Sequence, residues 1–204
     1  CGVMKQFCGR LFRKFIRINC AVFLTVFYRL RIEGRENIPI DGPVLIASNH
    51  QSFFDPVVVG VAGWPRRHFY AMARATLFRN ILFSTFIRAL NARPVQQGVS
   101  DIKAMRFALD LMKQGESMLI FPEGSRTETG QALEFKSGMM LLVKRGNATI
   151  VPAAVEGTFA AWPRKQKLPK LFGRIGVKFG PPISAEQMLA VPAAEAMKNL
   201  RQTV

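Results

Sequence analysis

Acidic residues are scarce in this chain of 204 residues: 13 Asp and Glu stand against 29 Lys and Arg, for a formal net charge of +16. A surface so short of carboxylates points to an anionic partner, with nucleic acid and an anionic membrane surface as the two large-scale candidates. Histidine is scarcer still, with only His50 and His68, and cysteine is confined to Cys1, Cys8 and Cys20. That supply does not build a zinc centre, so no metal is expected. An odd number of cysteines at one end is not a disulfide framework either, and a cytoplasmic setting fits. Long apolar runs are missing too. The longest uncharged stretch, Gly42 to Phe54, has 13 residues and includes Asn49, His50 and Gln51. A membrane span needs roughly 18 or more apolar residues, so none is expected. The Gly-x-Ser-x-Gly pattern of serine esterases is absent, as are internal repeats and a secretory cleavage site.

What is present is an uncommon mixture. Apolar residues make up 49% of the chain, 17 of them Phe, and mean hydropathy is +0.13 despite the charge. The length suits one domain with a sizeable core. The positive charge is segregated into three windows without acids: residues 1–31, the stretch between Asp55 and Asp101, and the stretch between Glu156 and Glu186. These windows hold 19 of the 29 basic residues, which reads as three anion-facing surfaces. In the first window Arg10, Arg13, Lys14 and Arg17 recur at helical spacing, opposite Phe7, Leu11, Phe15 and Ile18. A basic face opposed by a bulky apolar one suits a helix lying in a membrane interface, and the same pattern also fits a surface helix packed on its own domain. The first reading divides the chain into a helical membrane-binding segment, 1–29, and a domain, 30–204. It places the protein on an anionic membrane surface, peripheral or monotopic, at the cytoplasmic face. Nucleic acid is the weaker candidate, because the aromatic residues are mostly Phe in apolar runs and no module signature is present.

Beyond residue 43 the chain alternates short apolar runs with helical patterns. Val44–Ala47, Phe69–Met72, Met118–Phe121, Thr149–Val155 and Ile175–Phe179 read as strands. Asp101–Gln114 reads as a helix with Ser100 as N-cap and Gly115 as its stop, and Ser137–Arg145 reads similarly. The alternation predicts an α/β fold with a mostly parallel central sheet flanked by helices. Ligands of such sheets sit beyond the carboxyl ends of the strands, and the polar motifs fall there.

Three motifs carry the chemistry. Asn49-His50 follows the strand Val44–Ala47, with Asp55 five residues after the histidine and Pro56 opening a helix. A carboxylate partner would fix the imidazole tautomer and make His50 a general base, although a His–Asp pair at this spacing is also common as a structural contact. Phe121-Pro122-Glu123-Gly124-Ser125-Arg126 follows a second strand. Gly124 permits an unusual backbone there, and the planar fork of Arg126 suits a phosphate; a surface salt bridge on a turn is the plainer alternative. Val151-Pro152 lies in a third strand, where proline implies a sheet edge or a strand end.

Taken together and in this order, the motifs resemble those of the glycerolipid acyltransferase family over roughly residues 30–180. Asn49, His50 and Asp55 match its first motif, Phe121 to Arg126 its third, and Val151 and Pro152 its fourth. The second motif departs from the pattern. Arg74 keeps a positive charge at its start, but Gln96 and Gln97 replace the usual Asp and Arg, leaving Arg93 as a substitute cation. The resemblance implies transfer of a fatty acyl group from acyl-CoA or acyl-ACP, without a bound cofactor, to the hydroxyl of a lysophospholipid. The first acceptor to expect is 1-acylglycerol-3-phosphate, giving phosphatidic acid; glycerol-3-phosphate or another lysolipid is the alternative. His50 and Asp55 would be catalytic. Asn49, Glu123, Gly124, Ser125, Pro152 and the cations Arg74, Arg93 and Arg126 would line the substrate site, with backbone amides at Gly124 and Ser125 facing the oxyanion.

Overall fold

The computed structural model describes residues 2–95 and 101–204, with side chains for 7–95 and 104–204. Gln96, Gln97 and Ser100 lie outside the described residues. Seven strands form one sheet: β1 (Arg31–Glu33), β2 (Val44–Ser48), β3 (Phe69–Arg74), β4 (Ala92–Val95), β5 (Ser117–Ile120), β6 (Thr149–Glu156) and β7 (Gly176–Phe179). Their order is β1-β7-β6-β2-β5-β3-β4. Every pairing is parallel except β6 with β7. The helices are α1 (Gly2–Tyr28), α2 (Asp55–Gly63), α3 (Ile81–Ala89), α4 (Asp101–Lys113), α5 (Met140–Gly146), α6 (Thr158–Ala161), α7 (Ala185–Leu189) and α8 (Ala193–Thr203).

The two-residue period of the strands sorts their side chains onto two cores. In β2, Val44 and Ile46 join Val151, Ala153 and Val155 on one face, covered by α2 and the end of α1. Leu45 and Ala47 join Met118 and Ile150 on the other, covered by α4, α5, α7 and α8. All five β2 residues are buried, which is why this strand reads as an unbroken apolar run rather than an alternating one.

Two strands escape the apolar-run criterion. β1 has three residues, two of them charged and exposed, and lies at the sheet edge beside β7. β4 contains Arg93 and Pro94, and it is the opposite edge, where a missing N–H is tolerated.

Pro152 corrects the edge expectation. It is buried in β6, which is flanked by β2 on one side and β7 on the other. The reason lies in the returning chain. The Gly180 N–H donates to the Pro152 carbonyl at 2.8 Å, so the nitrogen of Pro152 faces the same side. From Ala153–Phe179 to Ile150–Ile183, β6 advances three residues and its partner four. The ladder therefore slips at Pro152, where an N–H is not needed. Pro152 belongs to the sheet core, not to the substrate-binding set.

α1 is continuous with the domain. Leu24 and Tyr28 are buried in the core, and the Tyr28 hydroxyl donates to the Lys170 carbonyl at 2.6 Å. Upstream, the apolar stripe of Phe7, Leu11, Phe15, Ile18, Val22 and Val26 is exposed. The packed-surface-helix alternative required that stripe to be buried. Arg17 departs from the expected exposed basic face: it is buried and donates to His68 Nε2 at 3.4 Å. Because arginine can only donate, this contact fixes His68 as a neutral acceptor through Nε2. No helix among the described residues is long and apolar enough to cross a membrane.

Candidate active site

The loop leaving β2 is tied down before His50 is reached. Asn49 is buried, and its carboxamide donates to the Val155 carbonyl and accepts the Val155 N–H, both at 2.8 Å. A side-chain amide thus takes the place of one further peptide group of β2. Asn49 was expected to bind substrate; both ends of its amide are engaged by Val155 of β6, which anchors the backbone just before His50.

His50 then turns out of the sheet. Its N–H donates to Glu123 Oε1 at 2.9 Å, its carbonyl accepts the Thr127 N–H at 2.9 Å, and its ring stacks on Phe121 at 3.9 Å between centroids. Nδ1 lies 2.8 Å from Asp55 Oδ2. The same carboxylate oxygen accepts the N–H groups of Gln51 at 2.6 Å and Ser52 at 2.7 Å. Asp55 is fully buried at the first residue of α2, and its other oxygen, Oδ1, has no hydrogen-bond partner among the described residues. With Nδ1 donating to Asp55, Nε2 is left as the acceptor nitrogen, and no described residue hydrogen-bonds to it. Spacing had placed these two residues in reach of each other, and the loop-to-helix bend brings them together.

The loop after β5 supplies the opposite wall. Glu123 is only 2% exposed. Its Oε1 holds the His50 N–H and its Oε2 accepts the Leu133 N–H at 3.2 Å. Burial pushes its pKa up, against the two backbone hydrogen bonds that favour the charged form. Both oxygens hold backbone amides, which ties the Glu123 carboxylate to the turn that carries His50. The turn needs Gly124, whose φ is 75°, and a Cβ there would meet Lys136 Nζ at 3.1 Å. The Gly124 N–H donates to the Phe121 carbonyl at 3.0 Å, so it is not the oxyanion donor expected of it. The exposed Ser125 keeps an amide that no described residue engages.

Arg126 is built differently. Its guanidinium carbon lies 3.5 Å from the centroid of the Phe53 ring, and one terminal nitrogen is buried without a partner. Burial lowers its pKa, as do the neighbouring charges of Arg164 and Arg74; Asp55 opposes them. Arg74 at the end of β3 and Arg164 in the segment after α6 are thus near enough for their charges to act on Arg126. Arg93 is not among them: its guanidinium reaches back over Tyr70, near the start of β3, at 5.2 Å. Arg164 and Phe53 were missed by sequence reasoning. Arg164 stood in the third basic window without an assignment, and nothing in the local sequence marks Phe53 as a cation platform. No three His, Cys, Asp or Glu side chains converge on a metal-sized site among the described residues.

A half-buried His50 paired with a fully buried Asp55 at a parallel-strand end, beside an arginine with one buried, unsatisfied nitrogen, is suited to deprotonating a hydroxyl on an anionic substrate. Residues 29–156 match the protein family described as Acyltransferase. The chain belongs to that family. Among its acyltransferase relatives, 1-acyl-sn-glycerol-3-phosphate acyltransferase of Bacillus subtilis is 28% identical over 91% of each chain. A chloroplast 1-acyl-sn-glycerol-3-phosphate acyltransferase of Arabidopsis thaliana is 28% identical over 73% of this chain and 42% of its own greater length. The crystal structure of the 1-acyl-sn-glycerophosphate acyltransferase from Thermotoga maritima superposes with a TM-score of 0.80 at 24% identity, covering 98% of this acyltransferase and 79% of that chain. The α/β architecture is thus the one expected, with the catalytic-motif residues at the carboxyl ends of β2 and β5.

Proposed function

We propose that this acyltransferase acylates the free hydroxyl of 1-acylglycerol-3-phosphate to give phosphatidic acid, with acyl-CoA or acyl-ACP as donor. The observation that carries the acceptor is Arg126, a desolvated cation with an unpaired donor beside the His50–Asp55 pair. A phosphate monoester supplies the missing charge and acceptor atoms. The names of the acyltransferase relatives support the same acceptor.

The chemistry follows from the free Nε2 of His50. It takes the proton of the acceptor hydroxyl as the oxygen attacks the thioester carbonyl. Asp55 stabilises the resulting imidazolium. The Ser125 amide, which no described residue engages, would donate to the tetrahedral oxyanion. Collapse breaks the C–S bond, and the departing thiolate takes the proton. The thioester is already activated, so no enzyme nucleophile is required. The exposed stripe of α1 would rest on an anionic membrane surface, peripheral to the cytoplasmic leaflet, where the lysophospholipid resides.

Thiol release from an acyl thioester tests this reading. Release should depend on lysophosphatidic acid, fall by about 10²–10⁴-fold in His50→Ala, and be much slower with a monoacylglycerol that lacks the phosphate. Equal rates with and without the phosphate would remove the role of Arg126. Undiminished activity in His50→Ala would remove the mechanism.

A further inference from the structure

Apart from Arg164, the segment between α6 and β7 has no role in the chemistry above, yet it presents an unusual surface. Leu168 is 78% exposed, Leu171 54% and Phe172 70%. Three large apolar side chains so exposed within five residues form a patch rather than scattered surface residues. Lys165, Lys167 and Lys170 are interspersed with them and exposed. Glu128 pairs with Lys165 at 3.6 Å, while no described carboxylate forms a salt bridge with Lys167 or Lys170.

The backbone beneath the patch is pinned. The Lys170 N–H donates to the Ala161 carbonyl at 2.8 Å, its carbonyl accepts the Tyr28 hydroxyl, and the Gly173 N–H donates to the Phe27 carbonyl at 3.1 Å. These bonds tie the segment to α1 on one side and to the helix beside the cleft on the other. The apolar surface of α1 runs into it: Phe23 lies 4.9 Å from Phe27, and Phe27 5.6 Å from Phe172, between ring centroids. At its other end Trp162 packs against Phe53 at 5.2 Å, under Arg126.

We propose that residues 163–174 form a second bilayer-insertion element, in which Leu168, Leu171 and Phe172 enter the apolar boundary of an anionic membrane while Lys165, Lys167 and Lys170 lie among its headgroups. Apolar side chains alternating with snorkelling lysines match a lipid interface. The unbroken aromatic path to the exposed face of α1 favours one continuous bilayer contact over a separate protein partner. The cleft then opens at the membrane surface, between two insertion elements. This inference rests on the reading of α1 as a bilayer contact, and the experiment separates the two.

Tryptophan probes in the full chain, Leu11→Trp on α1, Leu168→Trp on the segment and Lys198→Trp on α8, are mixed with vesicles of phosphatidylglycerol and brominated phosphatidylcholine, with the native tryptophan signal subtracted. The probes at 11 and 168 should be quenched, and the one at 198 should not. Quenching at 11 but not at 168 overturns the second element and leaves the α1 reading standing; quenching at neither overturns both. Co-sedimentation adds a measure of strength. Lys165→Gln/Lys167→Gln/Lys170→Gln should weaken binding to anionic vesicles by about ten-fold or more, with little change on zwitterionic ones. If that variant keeps its vesicle affinity but loses binding to acyl carrier protein, the surface is a protein-docking site and the proposal falls.

Discussion

The loop after β2 and the loop after β5 meet at His50, and they use their polar side chains differently. Around His50 the hydrogen bonds are dense: Asp55 Oδ2 accepts from the imidazole and two backbone amides, and Glu123 clamps the His50 and Leu133 amides, while Asp55 Oδ1 is buried without a partner. Around Arg126 there is less, with a buried nitrogen unpaired and two further arginines nearby. The first region spends folding energy on a fixed geometry, as a general base requires. The second leaves a charge uncompensated, which a ligand can satisfy. Under the proposed mechanism, the contrast separates residues that hold His50 in place from residues that would meet a substrate.

The largest expected effect is on the densely bonded side. Asp55→Asn should lower kcat by about 10²–10⁴-fold with little change in either KM, because the imidazole loses the partner that fixes its tautomer. The same variant should melt earlier, since three donors lose a charged acceptor. Arg126→Ala should behave in the reverse sense: a rise in acceptor KM of roughly 10–100-fold, an unchanged donor KM, and a melting temperature that holds or rises as a desolvated cation is removed. A fall in stability comparable to that of Asp55→Asn would break the comparison. Glu123→Gln is the finer test. One amide oxygen can replace only one of the two acceptors, so kcat should fall several-fold and stability by about 1–3 kcal/mol, while acceptor KM stays constant. A selective rise in acceptor KM would return Glu123 to the substrate-binding set.

The smallest effect lies away from the cleft, at the Arg17–His68 contact. Burial, then Arg17 and Arg13, holds the His68 pKa below its ordinary value of 6.5. The unfolded chain therefore binds this proton more readily. The stabilisation is present above pH 6.5 and is lost as pH falls from there through the lower folded value. Thermal melts of the wild type and His68→Gln between pH 7.5 and 5 check the sign: the wild type should lose more stability over this interval.

The sequence revealed these regions unequally. Apolar runs such as Val44–Ala47 are visible because a parallel strand buried on both faces has no polar alternation to hide it. Arg31–Glu33 and Ala92–Val95 were not visible, since edge strands carry charge and proline for the reason that they are edges. The His50–Asp55 pair was legible from a spacing of five residues. The roles of Asn49 and Glu123 were not, because their partners are 106 and 73 residues away and a motif records residue types without recording their partners. Pro152 misled for a related reason. Proline disfavours a central strand only where its N–H is required, and that depends on a ladder slip set by residues 180–183. The helical period on α1 identified its apolar stripe correctly, but it could not show that Arg17 turns inward to His68.

The Asn49 splint has a consequence for hydrogen exchange. The Val155 amide donates to a side chain, which in most proteins marks a site that opens easily. Here that side chain is buried in the sheet and gripped at both ends, and Val155 is itself 2% exposed. Its deuterium uptake should therefore match that of the central β-strands, becoming fast only when the turn carrying His50 comes loose. A single amide, read over hours in heavy water, reports whether the proposed general base is in place.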